Sequence, residues 1–332
     1  MIRFKRQLSD GALAFLLGEG NYIIPAIKSA RSANVPFEFD IQIRENDTLM
    51  VYVGTTCVLA IQIYSSRKQL KFSAHETYKD DFLGTYDFEK VPRKEITKYL
   101  QRTLPKVKKN FFSKEGEGYY QNILCHLQGE KANYLNDLFI FDRECVIGYD
   151  QKVEKHYKFN PIANKYNDIR KNLQKKDPRK WGQPNEKSLG NELDMLAIDK
   201  YFNLHCMELK HGSNGSGIYW GPLQVAVYKE IFSKEIFSKE INTIFNDMKL
   251  LIGQKVDLGL LPQCAIEIFK QKSTFSGVKS HLIIAEPNYK MNCWDKMNEV
   301  INENVEDLCC KVSIVDNQGQ ITEYKNPCIE RK

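Results

Sequence analysis

The sequence has no paired CxxC spacing, no long apolar run, no Walker phosphate-loop pattern and no strong excess of either charge. Its nine cysteines are Cys57, Cys125, Cys145, Cys206, Cys264, Cys293, Cys309, Cys310 and Cys328. They are scattered and odd in number, which argues against a disulfide framework or a zinc ribbon and reads as reduced thiols in a cytoplasmic protein. Cys125-His126 and Cys309-Cys310 have no complementary ligand pair nearby. No apolar run approaches the length needed to cross a bilayer, so no membrane partner is expected. The basic amino terminus precedes an apolar patch, but that patch covers only residues 12–17 between Asp10 and Glu19, too short for a signal peptide. A formal net charge of +6 permits a nucleic-acid partner without requiring one.

What is present is an ordinary globular composition, 42% hydrophobic and 27% charged over 332 residues, long enough for two domains. Residues 1–90 carry short strand-like segments at 37–43, 49–52, 57–64 and 69–72, separated by turn residues such as Glu45-Asn46-Asp47, and predict a small antiparallel sheet with one or two helices. Residues 90–130 interleave basic side chains with Tyr99, Phe111 and Phe112, a pattern that can track phosphates and stack bases but equally describes a solvated helix face. A second hairpin is expected at 138–141 and 145–149, with Asp142-Arg143-Glu144 at its turn. These features set an α+β amino-terminal domain at 1–150, suited to binding a substrate, a protein partner or a second copy of the chain. The rest, 151–332, forms the second domain.

That second domain opens on a basic stretch containing Lys175, Lys176, Arg179 and Lys180, the residues expected to meet nucleic acid. A helix is expected over 161–174 with Pro161 in its first turn. The loop 182–190 leads to the most informative segment, 191–228. Two alternating apolar runs, 192–198 and 204–210, flank Asp199-Lys200-Tyr201-Phe202-Asn203 and predict a β-hairpin. With the turn centred on Tyr201, antiparallel partners have numbers summing to 402. Asp194 then faces Glu208, and Glu192 faces Lys210, all on one side of the strands. Opposed residues have Cβ atoms about 4.5–5.5 Å apart, and two carboxylates that close repel unless a cation lies between them. Leu196, Ile198, Leu204 and Cys206 share their face while Leu193, Met195, Ala197, Met207 and Leu209 occupy the other. Such a pair is buried on both sides, and its charges must be matched or bind metal. Structural pairing and a metal site remain even alternatives at this point.

Asp194, followed fourteen residues later by Glu208-Leu209-Lys210, resembles the PD-(D/E)XK nuclease superfamily. Gln224-Val225-Ala226-Val227-Tyr228 is similar to the QxxxY element of its RecB-like branch, and Glu192 to Asp199 running on to Met207-Glu208-Leu209-Lys210 is similar in wording to DNA endonucleases of that group. Leu193 stands where the nominal proline would be, and Val225 where a leucine often follows the glutamine. The resemblance implies a restriction-endonuclease-like α/β fold, a mixed sheet flanked by helices, over 151–332. It implies a metal-dependent endonuclease that hydrolyses DNA phosphodiesters, leaving 5′-phosphate and 3′-hydroxyl ends, and the architecture, a nuclease with an unfamiliar front domain, suits defence or DNA processing. Asp194, Glu208 and the Leu209 carbonyl would hold Mg²⁺, for which Mn²⁺ can substitute. Lys210 would contact the attacking water or a phosphate, and Gln224 would orient water or phosphate. Tyr228 reads as packing or as an accessory to the site, and Glu192 as an accessory acid or the salt-bridge partner of Lys210. The rival reading is a nuclease-like fold that binds nucleic acid or protein without cutting.

After Lys210, residues 211–217 read as a flexible loop on the substrate side. Tyr219 and Trp220 are either base-stacking or packing residues, and Pro222 is expected to open a long helix. The duplication of Glu230-Ile231-Phe232-Ser233-Lys234 at 235–239 does not match the helical period. A strand at 282–285, a helix at 294–302 and a terminal hairpin at 312–315 and 321–324 complete the expected layer.

Overall fold

Apolar alternation in the first ninety positions builds what it predicts, a five-stranded antiparallel sheet. In the computed structural model, which describes residues 2–30, 39–133, 138–149, 152–182, 189, 192–237, 243–270, 272–303 and 308–324, the chain begins with β1 (Ile2–Arg3), α1 (Asp10–Leu17) and α2 (Ile23–Ser29). The sheet strands follow as β2 (Asp40–Arg44), β3 (Thr48–Val53), β4 (Thr56–Tyr64), β5 (Gln69–Ser73) and β6 (Gly84–Asp87), paired in sequence order. Next come α3 (Arg93–Thr103), α4 (Glu117–Cys125), β7 (Leu138–Cys145), β8 (Gly148–Tyr149), α5 (Lys152–Glu154), α6 (Asn160–Lys176) and α7 (Pro178–Trp181). The remainder is β9 (Leu193–Asp199), β10 (Asn203–His211), α8 (Gly215–Phe237), α9 (Thr243–Asp257), α10 (Cys264–Lys270), β11 (Gly277–Ala285), α11 (Cys293–Glu303), β12 (Cys310–Val315) and β13 (Ile321–Glu323). The architecture is mixed α/β, two sheets flanked by helices. No helix among the described residues is long and apolar enough to cross a membrane. Most of the loop expected at 182–190 and the end of the 235–239 duplication lie outside the described residues.

Two compact units divide the chain. One comprises Phe4–Phe141 and Phe245–Ser273, the other Met1–Arg3, Asp142–Ile244 and Thr274–Lys332. A contiguous division at residue 150 differs from these units in residues 1–3, 142–150 and 245–273. Polar chemistry explains the attachment of that segment to the first unit. The buried Lys255 ammonium donates to Gln42 Oε1 and to the Phe141 carbonyl, both at 2.6 Å. The Gln254 side chain meets the Leu8 backbone twice, accepting from its N–H at 2.8 Å and donating to its carbonyl at 2.7 Å. In the same unit Tyr99 is core, not a base-stacking surface. Its hydroxyl lies 2.9 Å from the Val58 carbonyl and 3.2 Å from that of Tyr78, and burial lifts its pKa to about 12.

The expected hairpin at 138–149 is not formed. Strand β7 runs unbroken through Asp142 and Arg143, both buried, and Gly148–Tyr149 pairs instead with Ile2–Arg3. Three consecutive charges read as a turn because charges are rarely buried; here a strand interior contains two of them.

The second unit carries a six-stranded sheet in the order β13-β12-β11-β10-β9-β7. Strands β10, β11 and β12 are parallel, β9 runs antiparallel to β10, and β13 runs antiparallel to β12. The terminal hairpin and the strand around 282–285 form as expected. Across the β10–β11 ladder Glu208 pairs with Leu282 and Lys210 with Ile284. Leu282 and Ile284 pack with Val312 against Ile218 of α8 and Trp294 and Met297 of α11. Helices α8 and α11 thus cover the face of the sheet that bears Glu208 and Lys210.

Helix α8 starts seven residues before Pro222, which lies inside it. Asn214 supplies the start, its side chain accepting from the Gly217 N–H at 2.9 Å and its carbonyl from the Ile218 N–H at 3.0 Å. This cap recruits Gly215–Gly217 into the helix and β10 takes His211, so the stretch expected to be flexible shrinks to 212–214. At Gly221 the helix approaches β11 so closely that a Cβ would sit 2.7 Å from Leu282 Cδ1. Gly221→Val is expected to destabilise the protein by about 1–3 kcal/mol through overpacking. Urea unfolding checks this, and an unchanged midpoint would mean that α8 can lift without cost.

On the opposite face of β10 and β11, two buried histidines stand side by side. His205 Nε2 is 3.1 Å from Asp199 Oδ2, and its ring centroid is 5.7 Å from that of His281. His281 Nε2 is 2.9 Å from Ser313 Oγ. Burial pushes both imidazoles below their usual range, His281 the further, with Lys311 adding to both and the Asp199 carboxylate opposing at His205. The unfolded chain therefore binds these protons more readily. Their contribution to stability is intact above about pH 6.5 and is lost as pH falls from there towards the depressed folded values. The unfolding free energy from urea titrations is expected to decline as pH falls below 6.5, by up to about 1.4 kcal/mol per pH unit for each histidine. His281→Gln is expected to flatten that decline; an unaltered slope would assign it to other groups.

Candidate active site

The hairpin takes the register its pattern predicts. Leu204 pairs with Ile198, His205 with Ala197, Cys206 with Leu196 and Met207 with Met195. The turn is fixed by the Asp199 carboxylate, which accepts from the backbone N–H of Tyr201 at 2.9 Å and of Asn203 at 2.8 Å, with Phe202 in the left-handed region at φ 67°. The backbone ladder ends at Met195 and Met207. One step further the Asp194 side chain takes its place, its Oδ2 accepting the Leu209 N–H at 2.7 Å.

That substitution of side chain for backbone brings three charges together. Glu208 is 0% exposed and Lys210 9%. The Lys210 ammonium lies 2.5 Å from Glu208 Oε1 and 3.8 Å from Asp194 Oδ2. Alternation accounts for the placement, since residues two apart on β10 share a face and Asp194, next to Met195 on β9, points to that face while Met195 points to the other. The cation that two facing carboxylates require is, in this state, an ammonium.

Helix α8 presents Tyr228 to the same place. Its hydroxyl is buried and has no hydrogen-bond partner among the described residues. Burial first, then the Cys145 thiol and the carboxylates of Glu208, Glu192 and Asp194, push its pKa far above the usual phenol value. Gln224, one helical turn earlier on the same stripe, is half-buried. Glu192 lies exposed just ahead of β9.

The donor set suits a hard cation. Asp194 and Glu208 offer carboxylate oxygens, and an unpartnered hydroxyl beside them is a polar atom that a hydrated ion could satisfy. Among the described residues no group of three or more His, Cys, Asp or Glu side chains converges on a single ion position. An ion held here would draw its remaining ligands from water and main-chain oxygen, as Mg²⁺ readily does. The Leu209 peptide, whose N–H engages Asp194, stands between the two acidic strands at that point.

The basic residues separate. Lys175, Lys176 and Arg179 are exposed. Lys180 instead pairs with Glu299 on α11 and lies 5.1 Å over the Trp181 ring. Asp177 caps α7 by accepting from the Arg179 and Lys180 N–H groups at 3.1 and 3.0 Å. The short helix delivers Trp181, a residue that no pattern in the sequence singles out, to the start of α8. There its ring centroid is 5.3 Å from that of Trp220 and 5.8 Å from that of Tyr219. Lys296 of α11 lies 5.1 Å over the Tyr219 ring. Only the Asp-Pro start of α7 announced this arrangement, as a capping signal.

Compared with protein-family models, with curated proteins and with solved structures, the chain matches none.

Proposed function

We propose that this protein is a metal-dependent nuclease that hydrolyses DNA phosphodiesters, with a restriction-endonuclease-like fold in the unit that carries β9 and β10. The observation that carries the reading is the meeting of Asp194, Glu208 and Lys210 within 4 Å at the end of a buried hairpin, in the D…ExK order. Placing two carboxylates and an ammonium where water is largely excluded is costly for a structural pair. It is suited to a site that must bind a cation and a phosphate in turn.

In this reading Asp194 and Glu208 would hold Mg²⁺ or Mn²⁺, together with the Leu209 carbonyl. The ion would supply a water of lowered pKa and stabilise the charge that builds on phosphorus. Lys210 would present a compact positive charge to a phosphate oxygen or to the attacking water. Gln224, an amide with both donor and acceptor capacity, orients the same groups from α8. The Tyr228 hydroxyl, kept protonated by its surroundings, serves as a donor and not as a base. Lys175, Lys176 and Arg179 meet the phosphate backbone outside the site. A protein partner or second copy would engage the unit built on β2–β6, and defence or DNA processing is the setting such an enzyme would suit.

One observation favours the rival reading. The 2.5 Å contact between Lys210 and Glu208 is a self-contained ion pair, which a non-catalytic relative could retain for structure alone. Incubation with plasmid, linear duplex, single-stranded DNA and RNA, in Mg²⁺, Mn²⁺ or EDTA, separates the two. Metal-dependent cutting of DNA is the expected result. Binding without cutting of any substrate in either metal would move the assignment to the non-catalytic module.

A further inference from the structure

Trp220 and Gln224 are four residues apart on α8, hence neighbours on one stripe, with Tyr228 a further turn along, within reach of the charges of Glu208 and Asp194. Trp220 is half-buried, and its ring is backed by buried Trp181 at 5.3 Å with the planes 33° apart. Tyr219 braces the pair edge-on, 4.9 Å from Trp220 and 5.8 Å from Trp181. Three large rings at one helix start exceed what a cap needs, because Asn214 already satisfies that end of α8. The cluster is also where the basic stretch terminates, with Arg179 and Lys180 preceding Trp181 directly in the chain. Along the chain the aromatic group thus joins the basic end of α6 and α7 to the stripe of α8 that carries Gln224.

We propose that Trp220, supported by Trp181 and Tyr219, is a base-stacking subsite for an unpaired nucleobase next to the phosphate at the carboxylates. This rests on the nuclease reading and deepens it, because it names the substrate class as single-stranded DNA, or a single-stranded overhang or frayed end. Four helical residues rise about 6 Å, comparable to about two nucleotides at 3.4 Å each along one strand. A ring one turn before Gln224 therefore meets a base close to the reacting phosphate. Bases within an uninterrupted duplex already stack on their neighbours and have no free face to offer. Base–aromatic stacking depends little on sequence, so the subsite selects for strandedness and not for a motif.

The test is binding of fluorescein-labelled 12-mers by the full-length protein in EDTA, where cutting is stopped. Single-stranded DNA, the same strand with abasic sites throughout, and duplex are compared for wild type, Trp220→Ala and Trp220→Phe. Wild type is expected to bind the base-containing single strand about 5- to 150-fold tighter than the abasic one. Trp220→Ala is expected to lose that advantage, Trp220→Phe to keep most of it, and duplex binding to be alike in all three. Equal wild-type affinity for base-containing and abasic strands overturns the subsite even if the alanine variant does not fold. So does an equal loss on single strand and duplex. Either result leaves the nuclease reading standing if metal-dependent cutting is intact, whereas absence of nucleic-acid binding and of cutting removes both.

Discussion

Glu208→Gln is expected to reduce Mg²⁺-dependent cleavage of DNA by at least about 10²- to 10³-fold, the loss typical when one preorganised electrostatic group is removed from a reacting centre. Glutamine preserves the side chain's shape and one oxygen in a position that is fully buried, so packing against α8 should survive. What disappears is the negative charge that holds the cation. The Lys210 ammonium, now 3.8 Å from its remaining carboxylate partner at Asp194 instead of 2.5 Å from Glu208, would drift towards Asp194 and block the position from the other side. The comparison is single-turnover cleavage at saturating Mg²⁺ with wild type, with circular dichroism showing that both are folded. Cleavage within about threefold of wild type would sink the assignment of Glu208, whatever the fate of the activity as a whole.

Lys210→Met should act in the opposite sense on metal affinity and strongly on stability. Removing the ammonium leaves two carboxylates facing one another with little water, and breaking one side of a buried pair typically costs about 3–5 kcal/mol. Mg²⁺ then has no internal rival. At a hundredfold excess over its dissociation constant it is expected to return about 2.7 kcal/mol. Urea unfolding in EDTA and in Mg²⁺ reads both quantities. The double variant Glu208→Leu, Lys210→Met should be more stable in EDTA than either single variant, since well-packed apolar groups can replace a buried pair without loss, and it should ignore Mg²⁺. A Lys210→Met protein that is destabilised but equally indifferent to Mg²⁺ would mean that the ion pair is structural.

Much of this centre was legible because hairpin periodicity is rigid. Once Tyr201 was placed at the turn, the summed register of 402 fixed four observed pairs and put Asp194 and Glu208 on one face. The pattern was silent on what happens at the ladder's end, where the Asp194 side chain replaces a backbone acceptor for Leu209. Charge misled at β7. Asp142 and Arg143 look like a turn in a linear reading, and only their tertiary surroundings make burial tolerable. Proline misled at α8, where its power to start a helix is outweighed by the Asn214 cap about two turns upstream. Tyr99 was read among its basic neighbours as a surface aromatic, yet it is core, since proximity in sequence to lysines says nothing about which side of α3 a ring occupies. The Trp181–Trp220 contact joins residues 39 apart in sequence, a separation on which no local pattern bears.

The return of residues 245–273 to the first unit has a consequence for handling the protein. The polypeptide passes from one unit to the other at 3/4, 141/142, 244/245 and 273/274. A fragment beginning near residue 150 would thus carry α9 and α10 away from the groups that satisfy Lys255 and Gln254, and a fragment ending there would lack them. A single proteolytic nick cannot release either half intact. The parallel partnership of β10 with β11, which joins Asn203 to Gly277, must also wait until the intervening excursion has been synthesised. Such non-local pairing slows folding, so the sheet bearing the carboxylates should be among the last parts to consolidate on a ribosome.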